Sequence, residues 1–370
     1  MRGVAAAAAS VALAVLPGSL ARGEAQQRPI LGVSTEERFD SAAAAGGESE
    51  LMSKVSPELG YSLLDQNRTL EASYALDLIH HLRAGNLTFD HRARLDYKDR
   101  PGRRLRLFAT GAFYRVEDMS SLPRFGVARV RAPALWVWGE AGAEGKLTRT
   151  LTLAGEYHAE LSRIFLDDSP PGSTHAFSLQ LRDQTGRRLV LGARVRGQLF
   201  MIRSSRYADA VAGTVSARYL PSRHTYVSLE GGPMVYRAQG QADALLPRLS
   251  AEVGYEGRGL LLGLSAGRDL VGAAGYAQAV WADYASAAAT WRVTPAWSVI
   301  VGGGYYRNGP APSAPANATG VNATAAVEWR FERGFVAAVA YDHLHQFGAA
   351  GAGLDLARDI VSFRLGYRTP

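Results

Sequence analysis

The chain has 370 residues, of which 47% are hydrophobic and 20% charged, and it contains no cysteine. This excludes a disulfide framework, a thiolate metal site, a cysteine nucleophile and a lipid anchor attached through cysteine. The mean hydropathy of -0.08 is too low for a bundle of transmembrane helices. The net charge of +7 comes with no long basic run and no nucleic-acid-binding motif, so nucleic acid is not expected as a partner.

The N-terminus has the layout of an export signal. Arg2 supplies a positive charge, residues 4–16 are apolar, and small residues follow as far as Ala21 or Ala25. Thirteen apolar residues are too few to span about 30 Å of hydrocarbon, so a cleaved signal is favoured over a membrane anchor. The sequence therefore predicts a signal peptide over residues 1–25 and a single mature domain over residues 26–370.

The rest of the chain alternates apolar and polar residues with a period of two. In the segment 187–202, for example, Val195 belongs to a continuous apolar face, whereas Arg194 and Arg196 belong to the opposite face. Such segments are about 9–13 residues long, which is typical of strands that cross a membrane, whereas strands of soluble sheets average about 5–6 residues. In lipid every backbone N–H and C=O needs a partner, so a sheet must close into a barrel.

The predicted fold is an all-β, transmembrane, up-and-down antiparallel barrel of about 18 strands with both termini in the periplasm. Connections after even-numbered strands are short and the others are mostly longer, as in outer-membrane barrels. The outer membrane is therefore the expected location, with its lipid as a partner. The predicted strands are 29–39, 53–64, 68–79, 86–98, 103–116, 132–146, 149–164, 173–183, 187–202, 210–220, 224–237, 247–256, 259–269, 277–292, 296–307, 319–331, 335–344 and 357–368.

The polar faces of these strands supply candidates for the lining of the lumen. They carry both signs of charge, which could produce a transverse field or bind a hydrated sugar chain, or could simply be a solvated wall with cross-strand ion pairs. The candidates are Glu58, Glu71, Asp77, Glu156, Glu160, Arg182, Arg194, Arg196, Arg218, Glu230, Glu252, Glu328, Arg330 and Arg364.

Catalysis is not expected, and no catalytic residue is assigned. Glu156, His158 and Glu160 share one face, and Asp342 adjoins His343, as acid–base chemistry would need, but dyads of this kind arise by chance. No nucleophile elbow and no phosphate-binding glycine loop is present. No metal site and no cofactor is predicted.

Three segments carry a resemblance to a known family: LGVSTEERFDS, VSPELGYSLLDQNRTLEASYALDL and GAEGKLTRTLTLAGEYHAEL. Their strand texture resembles outer-membrane barrels associated with exopolysaccharide export, notably of myxobacterial type. The resemblance implies an 18-stranded barrel that acts with a periplasmic polysaccharide-export protein, and it transfers no functional residue. The final strand, which ends near Phe363 and Tyr367, is similar to the aromatic-ended signal that the barrel-insertion machinery reads, except that the chain closes with Arg-Thr-Pro.

These observations lead to one functional expectation and two alternatives. The expectation is a conduit for polysaccharide export across the outer membrane, with the polysaccharide and a periplasmic export protein as partners. The alternatives are a passive porin for small solutes and a structural or receptor barrel with a closed lumen. A porin would typically fold a long third loop into the barrel, and the longest extracellular connections here, 40–52 and 117–131, do not decide between these alternatives.

Overall fold

A computed structural model describes residues 26–42, 48–119, 132–166, 170–184, 186–203, 205–272, 279–310, 318–331, 334–348 and 355–369. The signal peptide predicted for residues 1–25 lies outside them. The described residues form eighteen strands, named β1 to β18 in chain order: Gln26–Asp40, Glu50–Leu64, Arg68–His81, Asn86–Asp99, Leu105–Val116, Ala134–Lys146, Leu151–Ile164, Gly172–Asp183, Leu189–Ile202, Ser205–Tyr219, Thr225–Ala238, Ala244–Gly257, Leu260–Gly272, Ala279–Arg292, Trp297–Pro310, Ala318–Phe331, Phe335–Gly348 and Leu356–Arg368.

The strands form one closed antiparallel barrel, which confirms the predicted fold. Each strand pairs with the next, and β1 pairs with β18 from Gly32 opposite Arg368 to Asp40 opposite Ile360. The first strand is therefore part of the wall, and without it the sheet would have two free edges. No helix among the described residues is long and apolar enough to cross a membrane.

The two faces of the wall differ as the alternation predicts. Large apolar side chains are exposed at every second position around the outside, and Val195 and Val327 have relative exposures of 59% and 42%. On the same strands Arg194 and Glu328 occupy the opposite face, where they form ion pairs. The outer surface is therefore an apolar belt suited to lipid, and the ionisable groups are turned inward.

Threonine hydroxyls shape two of the short turns on the periplasmic side. The Thr148 Oγ1 accepts hydrogen bonds from the backbone N–H groups of Thr150 and Leu151, at 3.2 and 3.0 Å. The Thr294 Oγ1 accepts the equivalent pair from Ala296 and Trp297 at the same distances. These bonds satisfy backbone donors that have no ladder partner, so the chain reverses direction within a few residues.

Several strands extend further on the extracellular side than the sequence predicts. β10 begins at Ser205 rather than at residue 210, because Ser205 already pairs with Ile202 of β9. The predicted loop 203–209 is therefore mostly strand. β17 likewise continues to Gly348, opposite Ala318. The periodicity weakens above the membrane, where both faces can be polar, although the backbone ladder continues.

Candidate functional site

The wall opens between β12 and β13 on the extracellular side. The β12–β13 ladder stops at Leu249 opposite Arg268, whereas the β13–β14 ladder continues to Gly272 opposite Ala279. The extracellular half of β12 remains paired with β11 alone. The last residues of β13 therefore have no partner on β12 and can bend away from it, while β14 stays paired with β15 as far as Val280. Asp269–Gly272 together with Ala279–Ala282 is called the inward hairpin.

The inward hairpin packs against the inner face of strands that are not its neighbours in the sheet. The Gln198 Nε2 on β9 donates a hydrogen bond to the Leu270 carbonyl oxygen at 3.3 Å. Since β9 and β13 are four strands apart in the sheet, the hairpin must enter the lumen to reach β9. Leu270 and Ala279 form one buried apolar cluster with inward-facing residues of β9–β11: Phe200, Ala208, Ala210, Ala212, Met234 and Tyr236.

Small residues make room for this packing. Ala208, Ala210 and Ala212 alternate along the inner face of β10, so that strand carries no bulky side chain where the hairpin rests. On the hairpin itself, a Cβ at Gly272 would overlap the Thr174 hydroxyl of β8. The alanines of β10 therefore leave space for the hairpin, and the glycine at its end lets the backbone approach β8 closely.

A cluster of five charged residues lies at the base of the inward hairpin, and it is called the charged cluster: Arg194, Arg196, Glu230, Arg248 and Asp269. Asp269 accepts hydrogen bonds from the Arg196 Nη1 and from the Arg248 Nη2, each at 3.2 Å. Glu230 lies 2.8 Å from the Arg248 Nη1 and 3.6 Å from the Arg194 Nη1. Three cations thus face two anions in a partly buried network, which leaves a formal excess of one positive charge.

A second element enters the lumen from a different part of the wall. Asp118 follows β5, and its Oδ2 accepts a 2.7 Å hydrogen bond from the Arg358 Nη1 on β18. The Nε of Arg358 also donates to both oxygens of Asp40 on β1, at 3.0 and 2.8 Å. Arg358 and Asp40 are buried, with side-chain exposures of 4% and 0%.

This contact shows where the first residues of the third extracellular connection lie. β5 and β18 are five strands apart around the closed sheet, so Asp118 reaches β18 by passing over the interior. Met119 and Ala132, at the two ends of the same connection, pack with Val116, Ala134 and Ile164 against the wall. Glu117–Met119 is called the third-loop base, and residues 120–131 lie outside the described part of the chain.

A cavity of about 320 Å³ lies on the inner face of β6–β9 beside the charged cluster. Four charged residues border it: Glu140, Glu156, Arg194 and Arg196. Ala176 and Ser178 of β8 form its floor, and His158 of β7 completes the lining.

The structure brings some of the predicted lumen residues together and disperses others. Arg194, Arg196 and Glu230 meet in the charged cluster, and Glu156 borders the cavity beside it. The remaining residues form separate local pairs: Arg182 with Glu144, Glu160 with Trp136, Arg218 and Glu252 with Tyr226, Glu58 and Glu71 with Arg368, Asp77 with Arg92, and Glu328 with Arg330 and Arg364. Contact with a solute stays a prediction for all of them.

The sequence did not reveal Arg248, Asp269, Asp40, Asp118 or Arg358 as functional candidates. Asp269 falls at the end of a predicted strand, and its contacts depend on the inward bend of the hairpin. Asp118 meets Arg358 only because the short segment Glu117–Met119 extends from β5 toward β18, which no local pattern signals.

The histidine dyads noted in the sequence are arranged as polar contacts of the wall. The His343 Nδ1 is 2.8 Å from the Asp359 carboxylate on β18. The His158 Nδ1 is 3.9 Å from Glu140, beyond hydrogen-bonding distance. Within the described ranges no three His, Asp or Glu residues are grouped so that they could hold a metal ion.

Comparison with known proteins gives matches among solved structures alone. No family model matches the chain, and no curated protein sequence matches it. The structure of Pseudomonas aeruginosa OccK2 (OpdF) in complex with glucuronate matches with a TM-score of 0.50 at 10% identity, covering 93% of this chain and 98% of that one. A BenF-like porin from Pseudomonas fluorescens Pf-5 matches at 9% identity with a TM-score of 0.49, covering 93% and 98%. P. aeruginosa OpdQ also matches at 9%, with a TM-score of 0.48, covering 94% and 98%.

The comparison with OccK2 establishes the fold. The chain is an outer-membrane β-barrel of the architecture seen in that structure, and its location is the bacterial outer membrane. The expected resemblance to polysaccharide-export barrels is wrong, because the matching structure is that of OccK2 (OpdF). The alternation of a lipid-facing and a polar face is common to barrels of many functions, so the texture of the strands could not distinguish them.

The main functional expectation fails with the resemblance. Polysaccharide export and a periplasmic export protein as partner have no support in the structural comparison. Lipid of the outer membrane is the environment of the apolar belt.

Proposed function

We propose that the protein is a channel through which small hydrophilic solutes cross the outer membrane. The observation that carries the proposal is the double narrowing of the lumen. The inward hairpin rests on β9–β11, and the third-loop base reaches across to β18, so the barrel is constricted from two sides. A wide barrel that is constricted by its own loops selects solutes by size and charge.

The charged groups at the narrowing support a selective pore rather than a non-selective one. The charged cluster places guanidinium and carboxylate groups of β9, β11, β12 and β13 within 3.6 Å of one another. In a narrow passage with low-dielectric walls, such groups act on a passing solute more strongly than they would in open water. No catalytic function is proposed, and lipid is the only partner that the proposal requires.

The experiment is to reconstitute the purified barrel in vesicles and to measure swelling in isosmotic glycerol, a pentose, a hexose and a trisaccharide. The proposal expects rapid swelling with glycerol and a steep fall between the hexose and the trisaccharide. Vesicles with heat-denatured protein are the control. Absence of swelling with glycerol, from protein that is shown to be folded by its heat-modifiable gel shift, would contradict the proposal and favour a closed barrel.

A further inference from the structure

The cavity on β6–β9 has its charges sorted by sign across one strand. Glu140 of β6 and Glu156 of β7 lie on one side, and this pair is called the acid row. Arg194 and Arg196 of β9 lie on the other side and are called the guanidinium row. Ala176 and Ser178 of β8 separate the rows, because Glu156 is opposite Ser178 and Ser178 is opposite Arg196 in the ladders.

The side chains between the rows are small and leave room for a ligand. Two strand spacings separate the backbones of β7 and β9, which is about 10 Å. Alanine and serine do not fill this width, and the cavity has a volume of about 320 Å³. Among the described residues no ion pair joins the acid row to the guanidinium row, even though the chains are long enough to approach across the floor.

Both rows are held by neighbouring groups. Arg194 donates through Nη2 to the Gln180 oxygen of β8 at 3.1 Å and lies 3.6 Å from Glu230, and Arg196 is bound to Asp269 of the inward hairpin. On the acid side, the Glu156 Oε2 accepts from the Ser178 hydroxyl of the floor at 3.2 Å. These contacts keep the rows apart, and all four charged side chains border the cavity.

We infer that this cavity binds small dipolar solutes that carry one ammonium and one carboxylate group, as a zwitterionic α-amino acid does. The ammonium would lie against Glu140 and Glu156, and the carboxylate against Arg194 and Arg196. A solute with a single charge pairs with the row of opposite charge only. The row of like charge then repels the solute or stays without a partner. The inference rests on the proposed channel function and adds to it the class of solute that this part of the lumen retains.

The test uses single channels in planar bilayers and three solutes of matched size. Serine carries both charges, glycerate has a hydroxyl in place of the amine, and serinol has a hydroxymethyl group in place of the carboxylate. The measured quantity is the apparent affinity with which each solute blocks the ionic current. We expect serine to bind about tenfold more tightly than either analogue, since each charge-assisted contact contributes on that order.

Two substitutions separate the rows. Glu156→Gln should weaken serine block about tenfold and abolish serinol block, while glycerate block is retained. Arg194→Gln should weaken serine block by a similar factor and abolish glycerate block instead. Glu328→Gln is the matched control, because it removes a carboxylate from β16, away from the cavity, and it should leave the affinity for serine unchanged.

The outcomes distinguish the inference from the proposed function. If the channel conducts but serine binds no better than glycerate and serinol, or if Glu328→Gln weakens serine as much as Glu156→Gln does, the inference is overturned and the channel function stands. If the folded barrel carries no ionic current at all, the channel function fails, and the inference fails with it.

Discussion

The inward hairpin and the third-loop base both enter the lumen, but different forces hold them there. The hairpin lies on an apolar bed, where Leu270 packs with Phe200, Met234 and Tyr236, and its polar contacts are at the margin. The third-loop base is held at Asp118 by one guanidinium that Asp40 also binds. Apolar packing loses stability in proportion to the volume removed, whereas a buried ion pair fails when either partner is removed. The two elements should therefore respond differently to substitution.

The largest effect is expected from Leu270→Glu. Truncating a buried leucine costs about 2–5 kcal/mol, and a carboxylate without a partner in the same apolar cluster adds several more. The hairpin should lose its packing against β9–β11, while the β12–β13 ladder between Leu249 and Gly257 keeps the barrel closed. Because the hairpin would no longer narrow the lumen, single-channel conductance should rise at least about twofold.

The control for this substitution is Leu270→Met, which conserves volume and should leave conductance unchanged. An unchanged conductance in Leu270→Glu, with protein that still shows the heat-modifiable shift, would mean that the inward hairpin does not limit the pore.

Arg358→Gln should have the next largest effect, and mainly on stability. It removes the guanidinium that binds the fully buried Asp40 at the seam where β1 closes on β18. Arg38 still lies 3.1 Å from Asp40, so the cost should stay below the about 3–5 kcal/mol of a buried charge that has lost its only partner. The free energy of unfolding in lipid vesicles, measured by urea titration, should fall by about 1.5–3 kcal/mol, which is the contribution of a hydrogen bond to a charged group. A loss as small as that of a surface ion pair would show that Arg38 alone is enough to neutralise Asp40.

The contrast between the two elements also marks what the sequence can predict. The period of two predicted all eighteen strands and put Val195 and Arg194 on opposite faces, because that pattern is set locally by the pleat. It could not predict that Asp269 meets Arg196 or that Asp118 meets Arg358, because each contact joins strands that are far apart around the wall. The functional expectation failed for a related reason: the pattern describes the membrane face, which differs little between barrels.

Asp118→Asn tests the third-loop base without disturbing the seam. The amide keeps an acceptor for the Arg358 Nη1 and loses the charge, and Asp118 is partly exposed, so the free energy of unfolding should fall by only about 1 kcal/mol. The open-channel current should become noisier because the third-loop base is no longer held to β18. Asp355→Asn is the control, because Asp355 accepts from the Gly348 N–H outside this contact. Equal noise in both variants would show that the Asp118 contact does not restrain the loop.

The smallest effect is expected from Gln198→Met, which removes the single hydrogen bond from β9 to the Leu270 carbonyl oxygen. One such bond contributes about 0.5–1.5 kcal/mol, and methionine keeps the apolar contacts of the side chain within a cluster that is already apolar. Conductance should therefore remain at the level of the unmodified channel, and the urea midpoint should shift slightly. If Gln198→Met raised the conductance as much as Leu270→Glu, the hairpin would be held by polar contacts, and the contrast with the third-loop base would disappear. If the conductance is unchanged while Leu270→Glu opens the pore, packing on the alanine bed of β10 is what keeps the hairpin inside the barrel.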